Sequence, residues 1–413
     1  MGAEGKTKLA YLESLRGIAA LVVVFTHFLG SFFPAVMGGA NWPIHSRLDL
    51  LIFSTPLFVF VNGNFAVCVF FVLSGFVLTR VYFLTKRTDV LTKGAIKRYV
   101  RLMPPVAVAV LGAFVLMRLG AFHNQQAAAI SGSTGLGELW RFAPKLQEAL
   151  NQAFVSTFTS GYPGPQSFDP VLWTMQIEFL GSMLVFAAAA LFGTYRRRWL
   201  VYLVLAVFTW KTYYVGFVAG MLLADLFTNE GVRETIGRVR WGVAGLLFGG
   251  YPSSGSTTGT VYHHAPSFWG HAAMWYPTWH TFGAILLVTV VLGWVRLQSV
   301  LNLKPFVELG RQSFGLYLTH FIVIATFSSY LFTKLHQSHG YRLSFVVTAA
   351  VSLVLIFAIS WLFTQWVDGP AVRLAKRLTT EKPKQPQLSL PEPVPAAQVP
   401  LVAPAAVPAQ TEL

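Results

Sequence analysis

Long apolar runs separated by short polar segments recur along the whole chain. Most are about 17 to 25 residues long, the length at which a helix crosses the hydrocarbon core of a bilayer. The pattern therefore predicts an all-α, polytopic membrane bundle of about ten transmembrane helices. The predicted spans are 12–33, 64–84, 103–119, 171–193, 199–210, 212–228, 241–252, 281–296, 313–333 and 342–366.

Two further segments do not fit the spanning pattern. The apolar stretch 48–61 contains Pro56 and is too short to cross, which favours a re-entrant or interfacial segment. Residues 381–413 are rich in Pro and Ala and have almost no aromatic residues, so we expect a disordered cytoplasmic tail. The sequence is thus divided into a transmembrane domain, 1–380, and this tail.

Composition agrees with a membrane protein. Hydrophobic residues make up 54% of the chain and charged residues 11%, whereas soluble proteins have roughly 25% charged residues. The net charge is +15, and 24 of the 31 Lys and Arg fall in alternate connections. The positive-inside rule assigns those connections and both termini to the cytoplasm, so the charge requires no nucleic acid. We predict a multi-pass protein of the plasma (inner) membrane.

Arg16 and His27 stand out in the first span. They are eleven residues apart, which places them within ~20° of one helix face and about 16 Å apart along the axis. Arg16 would then lie at the cytoplasmic boundary and His27 deep in the membrane, where ionisable groups usually serve a function. The structural alternative is a snorkelling arginine plus a histidine hydrogen-bonded to a neighbouring helix.

Basic residues also precede the third span. Arg98 and Arg101 are three residues apart and share a helix face, an arrangement that suits phosphate recognition. The alternative interpretation is that these basic residues only set the orientation in the membrane by the positive-inside rule, and for Lys97 this interpretation is favoured.

Three more spans carry polar groups at depth. Glu178 lies about two turns inside the fourth span, as a proton-transfer group or as half of an ion pair. His320 lies inside the ninth span with Arg311 at its cytoplasmic end, and a packing histidine is the alternative. Ser74 is small, which favours close helix packing. Cys68 is interpreted as a small buried hydrophobic residue rather than as an acyl-carrying nucleophile.

The loop 253–280 contains four histidines and several aromatic residues. No HxxxH or HExxH spacing supports a metal site, so no metal is predicted. The aromatic residues favour interfacial anchoring over stacking against a sugar ring.

Taken together and in order, these stretches resemble the membrane-bound acyltransferase 3 family over residues 9 to 370. The family's arginine, ten residues and histidine are matched by Arg16 and His27, and its FFxLSGF element by residues 70–76. The family's basic run before a proline is matched by Arg98, Arg101 and Pro104. Its WSLxxE element is matched by Trp173, Thr174 and Glu178, with threonine in place of serine. Its SxxxYLxH element is matched by Ser313, Tyr317 and His320.

This resemblance implies transfer of an acyl group, commonly acetyl from acetyl-CoA, to a hydroxyl. The acceptor would be a cell-envelope glycan, a lipid-linked sugar or a small natural product. Acyl-CoA is then a donor substrate, and no permanently bound cofactor is expected.

Roles for the matched residues follow as expectations. Arg16, Arg98, Arg101 and Arg311 would hold the donor phosphates, and Trp173 and Tyr317 would contact substrate. His27 would act as general base or transient acyl carrier, with Glu178 and His320 orienting it or the acceptor. After Glu178 the sequence FLGS departs from the family's usual continuation, which affects the acceptor side.

A proton-coupled transporter or flippase of a lipid-linked sugar is the alternative from another functional class, because intramembrane His and Glu also serve proton relays. The lack of a visible internal repeat and the one-sided basic residues count against it. A non-catalytic scaffold would leave the buried ionisable groups unexplained.

Overall fold

The computed structural model describes residues 9–160, 163–229, 231–232, 239–251, 260–262 and 276–378. Within these ranges the chain is helical, and no strand occurs. The tail predicted at 381–413 and most of the loop 253–280 lie outside the described residues. The proposed domain division therefore stays a prediction.

Twenty helices are described. In the first half they are α1 (Ala10–Phe32), α2 (Ala35–Gly38), α3 (Arg47–Ser54), α4 (Gly63–Thr85), α5 (Asp89–Arg118), α6 (Asn124–Ser131), α7 (Thr134–Gly137), α8 (Leu146–Asn151), α9 (Thr157–Thr159) and α10 (Trp173–Phe192). In the second half they are α11 (Arg198–Thr209), α12 (Tyr214–Leu226), α13 (Val239–Gly249), α14 (Tyr276–Gly293), α15 (Val295–Leu301), α16 (Lys304–Arg311), α17 (Ser313–Val323), α18 (Ser329–His336), α19 (Tyr341–Phe363) and α20 (Gly369–Arg377). The 3₁₀ segments are Gly39–Asn41, Pro56–Val61, Gly164–Gln166 and Pro170–Leu172, and the π segments are Gln152–Ser156, Ile324–Ser328 and Thr364–Asp368.

Six helical segments of the described chain are long and apolar enough to cross a membrane. They are Ala10–Phe32, Gly63–Thr85, Asp89–Arg118, Pro170–Phe192, Ser313–His336 and Tyr341–Arg377. A seventh candidate is the pair Thr278–Gly293 and Val295–Leu301, which is bent by 94°. The prediction of a polytopic helical bundle is confirmed.

The count of about ten spans is not confirmed. The stretches predicted at 199–210, 212–228 and 241–252 form helices of 12, 13 and 11 residues. At 1.5 Å per residue these reach about 16 to 20 Å, short of the roughly 30 Å hydrocarbon core. These three stretches are therefore apolar helices whose crossing of the membrane stays a prediction. The stretch 48–61 likewise forms only α3 and a 3₁₀ segment that begins at Pro56.

The third span differs from its prediction in a way that matters for the site. Helix α5 begins at Asp89, well before the predicted start at 103, and continues through Pro104 and Pro105. Prolines are tolerated inside membrane helices where neighbours satisfy the freed backbone groups. Arg98 and Arg101 therefore belong to one continuous helix with the apolar residues that follow, and are held against the bundle.

Close backbone contacts bring the central helices together. A Cβ at Gly75 of α4 would collide with the backbone of Phe217 on α12. In the same way, a Cβ at Gly310 of α16 would collide with the backbone of Glu13 on α1. Small residues let membrane helices approach in this way, so Ser74 and Gly75 sit in a tightly packed stretch, as the sequence predicted.

Candidate active site

Helices α1, α4, α5, α10 and α17 surround a cavity of about 700 Å³, a volume that includes its opening to solvent. We call the end of the bundle where α1 begins and α4 ends the basic face. Four charged side chains line the cavity: Arg16, Arg98, Arg101 and Glu178. The rest of the wall is mostly apolar and aromatic, contributed largely by α4, α10 and α17.

A hydrogen-bond network joins α1, α4 and α10 across this cavity. Arg16 Nη2 donates to Ser74 Oγ at 3.1 Å, and Ser74 Oγ donates to Glu178 Oε1 at 2.6 Å. Arg98 forms an ion pair with the same carboxylate and donates from Nε to Ser182 Oγ at 2.7 Å. Glu178 thus orients two arginines, one directly and one through a serine.

The network leaves positive charge in excess. The cavity wall holds three guanidinium groups and one carboxylate, and Arg101 also pairs with Asp368, which is outside the lining, at 3.2 Å. The Nε atom of Arg16 is buried and has no hydrogen-bond partner among the described residues. Guanidinium groups whose N–H donors are not all used bind phosphate well, so the arginine-lined end of the cavity suits an anion.

Arg311 is not part of this cluster. Its side chain is 56% exposed and pairs with Glu308 within α16. That helix packs on α1, yet Arg311 itself is absent from the cavity lining. Ser313 and Phe314 line the cavity, but Arg311, although it is close to them in the sequence, does not.

The two predicted histidines meet across α1 and α17. His27 Nδ1 lies 2.9 Å from His320 Nε2 and 3.1 Å from the carbonyl of Val23. His320 is fully buried, whereas His27 is half-buried. This pairing could not be predicted from the sequence, because 293 residues separate the two histidines along the chain.

The hydrogen bonds define which nitrogens carry protons. His320 Nδ1 lies 2.8 Å from the carbonyl of Leu316, so a neutral His320 donates there and its Nε2 must accept. His27 therefore donates from Nδ1, and its Nε2 keeps a lone pair. No described residue hydrogen-bonds to that Nε2, so the atom is chemically available as a base or nucleophile.

The histidine pair lies just beyond the far end of the cavity. Contacts between Arg16 and Ser74, and between Thr26 and Val61, show that α1 and α4 run antiparallel in register. His27 is about 16 Å from the level of Arg16, while Val67, the most distant α4 residue of the lining, is about 10 Å from Ser74. About one helical turn therefore separates the cavity from His27.

Tyr317 bridges these two parts. It lines the cavity, and its ring centroid is 6.3 Å from that of His320, one turn further along α17. Its hydroxyl donates to the carbonyl of Val171 at 2.8 Å and lies 2.7 Å from Thr174 Oγ1. These bonds fix the ring as part of the wall.

The remaining predicted residues are placed differently. Trp173 packs on Tyr213 with ring centroids 5.3 Å apart and does not line the cavity. Glu178 lies with the arginines, and no hydrogen bond in the described chain joins it to His27 or His320. The ion pair with Arg98 matches one of the two alternatives predicted for Glu178, and its role in orienting His27 or the acceptor stays a prediction.

Sequence reasoning missed the network's serines and its second carboxylate. Ser182 is four residues after Glu178 and so shares its helix face, a spacing that could have revealed it. Asp368 reaches Arg101 across 267 residues and had no such signal.

Comparisons with known proteins bear on this arrangement. Residues 9–365 match the model of the acyltransferase 3 family, described as an acyltransferase domain. The chain belongs to this family. Membership agrees with the resemblance drawn from the five motifs.

Three fungal proteins are similar to this chain over most of their own length. "Acyltransferase clz18" of Cochliobolus lunatus is 21% identical, covering 88% of this chain and 94% of its own. "Acyltransferase R4" of a Phoma species is 22% identical, covering 89% and 95%. "O-acetyltransferase PaAT-1" of Phomopsis amygdali is 25% identical, covering 89% and 84%. No solved structure matches the chain.

Proposed function

We propose that the protein is an integral membrane O-acyltransferase that moves an acyl group, acetyl in the first instance, from acyl-CoA to a hydroxyl. The acceptor class is an envelope glycan, a lipid-linked sugar or a small natural product. The observation that carries the proposal is the available Nε2 of His27, one helical turn from a cavity rich in arginine. Family membership supports acyl transfer over the transporter alternative, and one relative's name supports acetyl.

The donor would bind from the basic face, which the distribution of Lys and Arg assigns to the cytoplasm. Its phosphates would contact Arg16, whose Nε has no partner among the described residues, and Arg101, whose side chain is 33% exposed. Arg98 is only 11% exposed and is bonded to Glu178 and Ser182. The mostly apolar wall between α4 and α17 would then guide the pantetheine arm toward His27.

The transfer step would use His27 as general base. Its Nε2 accepts the proton of the acceptor hydroxyl while that oxygen attacks the thioester carbonyl. The C–S bond breaks, an ester forms, and the leaving CoA thiolate takes the proton back from His27. His320 accepts the Nδ1–H of His27 throughout, so it fixes the tautomer in which Nε2 is basic.

The test follows radiolabel from acetyl-CoA into lipid and glycan fractions of membranes containing the full-length protein. We expect His27→Gln to lower transfer by about 10² to 10⁴, the usual contribution of a general base. His336→Gln is a matched control, because His336 is also half-buried but stacks on Phe332 away from the pair.

Near-normal transfer by His27→Gln would remove His27 from the mechanism. If wild-type membranes neither transfer label nor bind acetyl-CoA, the proposal that acetyl-CoA is the donor is wrong.

A further inference from the structure

The loop after α5 forms a cap over the end of the bundle opposite the basic face. Ser131 Oγ donates to the carbonyl of Ser31, and Ser133 Oγ donates to that of Gly30, each at 2.7 Å. The amide of His123 donates to the carbonyl of Ala325 at 3.0 Å. The cap is thus bonded to α1, which carries His27, and to the π segment that continues the helix carrying His320.

Trp140 is a tightly held residue of this cap. Its side chain is 5% exposed, and its φ of +55° lies in the left-handed region that bulky residues rarely occupy. The side-chain amide of Asn124 donates to the carbonyls of Leu136 and Leu139, which holds the turn just before Trp140. The indole N–H donates to the carbonyl of Phe168 at 2.9 Å.

The strained backbone aims the indole at the candidate site. The indole meets the ring of Phe321 edge-on, with centroids 5.5 Å apart and planes at 71°. Phe321 in turn stacks on the imidazole of His27 at 4.5 Å and 25°. Strained backbone that persists in a packed structure tends to occur at functional sites. Here the strain ends in a direct chain of ring contacts to His27.

We propose that Trp140 is a positioning residue: through Phe321 it holds the His27 imidazole where Nδ1 faces His320 and Nε2 faces away from it. Without the indole, Phe321 gains freedom, and the imidazole loses the surface against which it is stacked. The contacts with His320 and with the Val23 carbonyl both act on Nδ1, at one corner of the ring, so by themselves they would not restrict the ring to one orientation. This inference rests on the proposed role of His27, but its first test does not depend on activity.

The first measurement is the tautomer of His27 in the full-length protein labelled with ¹⁵N-histidine in detergent micelles. Long-range proton–nitrogen spectra distinguish a protonated from an unprotonated ring nitrogen, and His27→Gln identifies the signal. We expect a fixed Nδ1–H tautomer in the wild type and in Trp140→Phe, which keeps a ring against Phe321. In Trp140→Asn, which tolerates the left-handed backbone but has no ring, we expect averaging of both tautomers.

The second measurement is acetyl transfer by the same variants. We expect Trp140→Asn to lower the turnover rate by about 10- to 100-fold, as for a misplaced catalytic group, with unchanged binding of CoA. The matched control is Phe158→Leu. Phe158 is 1% exposed in the same loop but packs on Tyr99 and Phe179 instead of the histidine pair.

The inference is overturned if His27 stays fixed in Trp140→Asn, or if Phe158→Leu loosens it equally. It is also overturned if transfer depends on His27 yet Trp140→Asn transfers as well as the control. A tautomer effect without any acetyl transfer by the wild type would instead count against the proposed function alone. Should Trp140→Asn fail to fold, Phe321→Leu breaks the same chain of rings and carries the same expectations.

Discussion

Removal of the Glu178 carboxylate should destabilise the protein because it leaves a buried cation without its partner. The Arg98 and Glu178 side chains are only 11% and 12% exposed, so water compensates little for the loss. Glu178→Ala also takes away the acceptor of the Ser74 hydroxyl. The expected effect is therefore on folding as well as on donor binding.

The magnitude follows from the two interactions that are broken. Breaking a buried ion pair by removing one partner costs about 3 to 5 kcal/mol, and a hydroxyl left without its acceptor costs about 1 to 3 kcal/mol. The two terms are not additive, since water from the adjoining cavity will solvate part of the exposed charge. We expect a loss of about 3 kcal/mol, or a fall of about 4 °C in the unfolding midpoint of a chain of this length, at about 2.1 cal/mol/K of unfolding entropy per residue.

The assay is thermal unfolding of the purified full-length protein in detergent, with three variants compared. Glu178→Ala should unfold well below the wild type, while Arg98→Met combined with Glu178→Met should recover much of the loss, because apolar replacement of a buried pair is often neutral. Glu148→Ala, which breaks an exposed pair with Lys145, should leave the midpoint unchanged within error. A Glu178→Ala midpoint equal to the wild type, or a double variant less stable than the single one, would refute the reasoning.

Three further outcomes are expected. Arg16→Lys should weaken binding of acyl-CoA about tenfold in a titration with CoA, because lysine cannot reproduce the planar donor set of guanidinium. Gly75→Ala should lower the yield of folded protein, since the new Cβ meets the backbone of the facing helix, whereas Gly112→Ala, with nothing within 4 Å, should not. Burial raises the pKa of Asp169, just outside the fourth span, well above its usual value. The wild type should therefore lose stability as pH rises above about 4, where the unfolded carboxyl ionises, and Asp169→Asn should remove that loss in melts from pH 4 to 8.

Local pattern was enough to predict much of the bundle. Run length identified the six long spans, since only a helix of about 20 apolar residues both crosses a bilayer and satisfies its backbone. At 199–210 the predicted run and the helix that forms are both 12 residues long, which leaves a membrane crossing there unconfirmed. The run-length criterion misplaced the start of α5. The charged residues before Pro104 indicate a loop by composition, but in the structure they belong to the helix.

The site was predicted in part for the same reason. The spacing of Arg16 and His27 predicts their relative position only because one continuous helix, α1, carries both residues. Contacts between distant segments have no such local signature. The pairing of His27 with His320, the serine between Arg16 and Glu178, and the Trp140 contact with Phe321 all depend on how separate helices pack.

The cap has a consequence for the cell that concerns leakage rather than chemistry. An arginine-lined cavity on one side of the membrane and a histidine pair beyond it form part of a chain of polar groups. If polar groups continued to the other side, protons could cross the membrane along that chain. On the opposite side, the rings of Phe321, Trp140 and Phe122 pack in sequence, and the indole N–H is spent on a backbone carbonyl. Rings of this kind offer no donor or acceptor for a proton to hop along. The ring stack that steadies the imidazole therefore gives a proton no carrier along that line of contacts between the histidine pair and the opposite face.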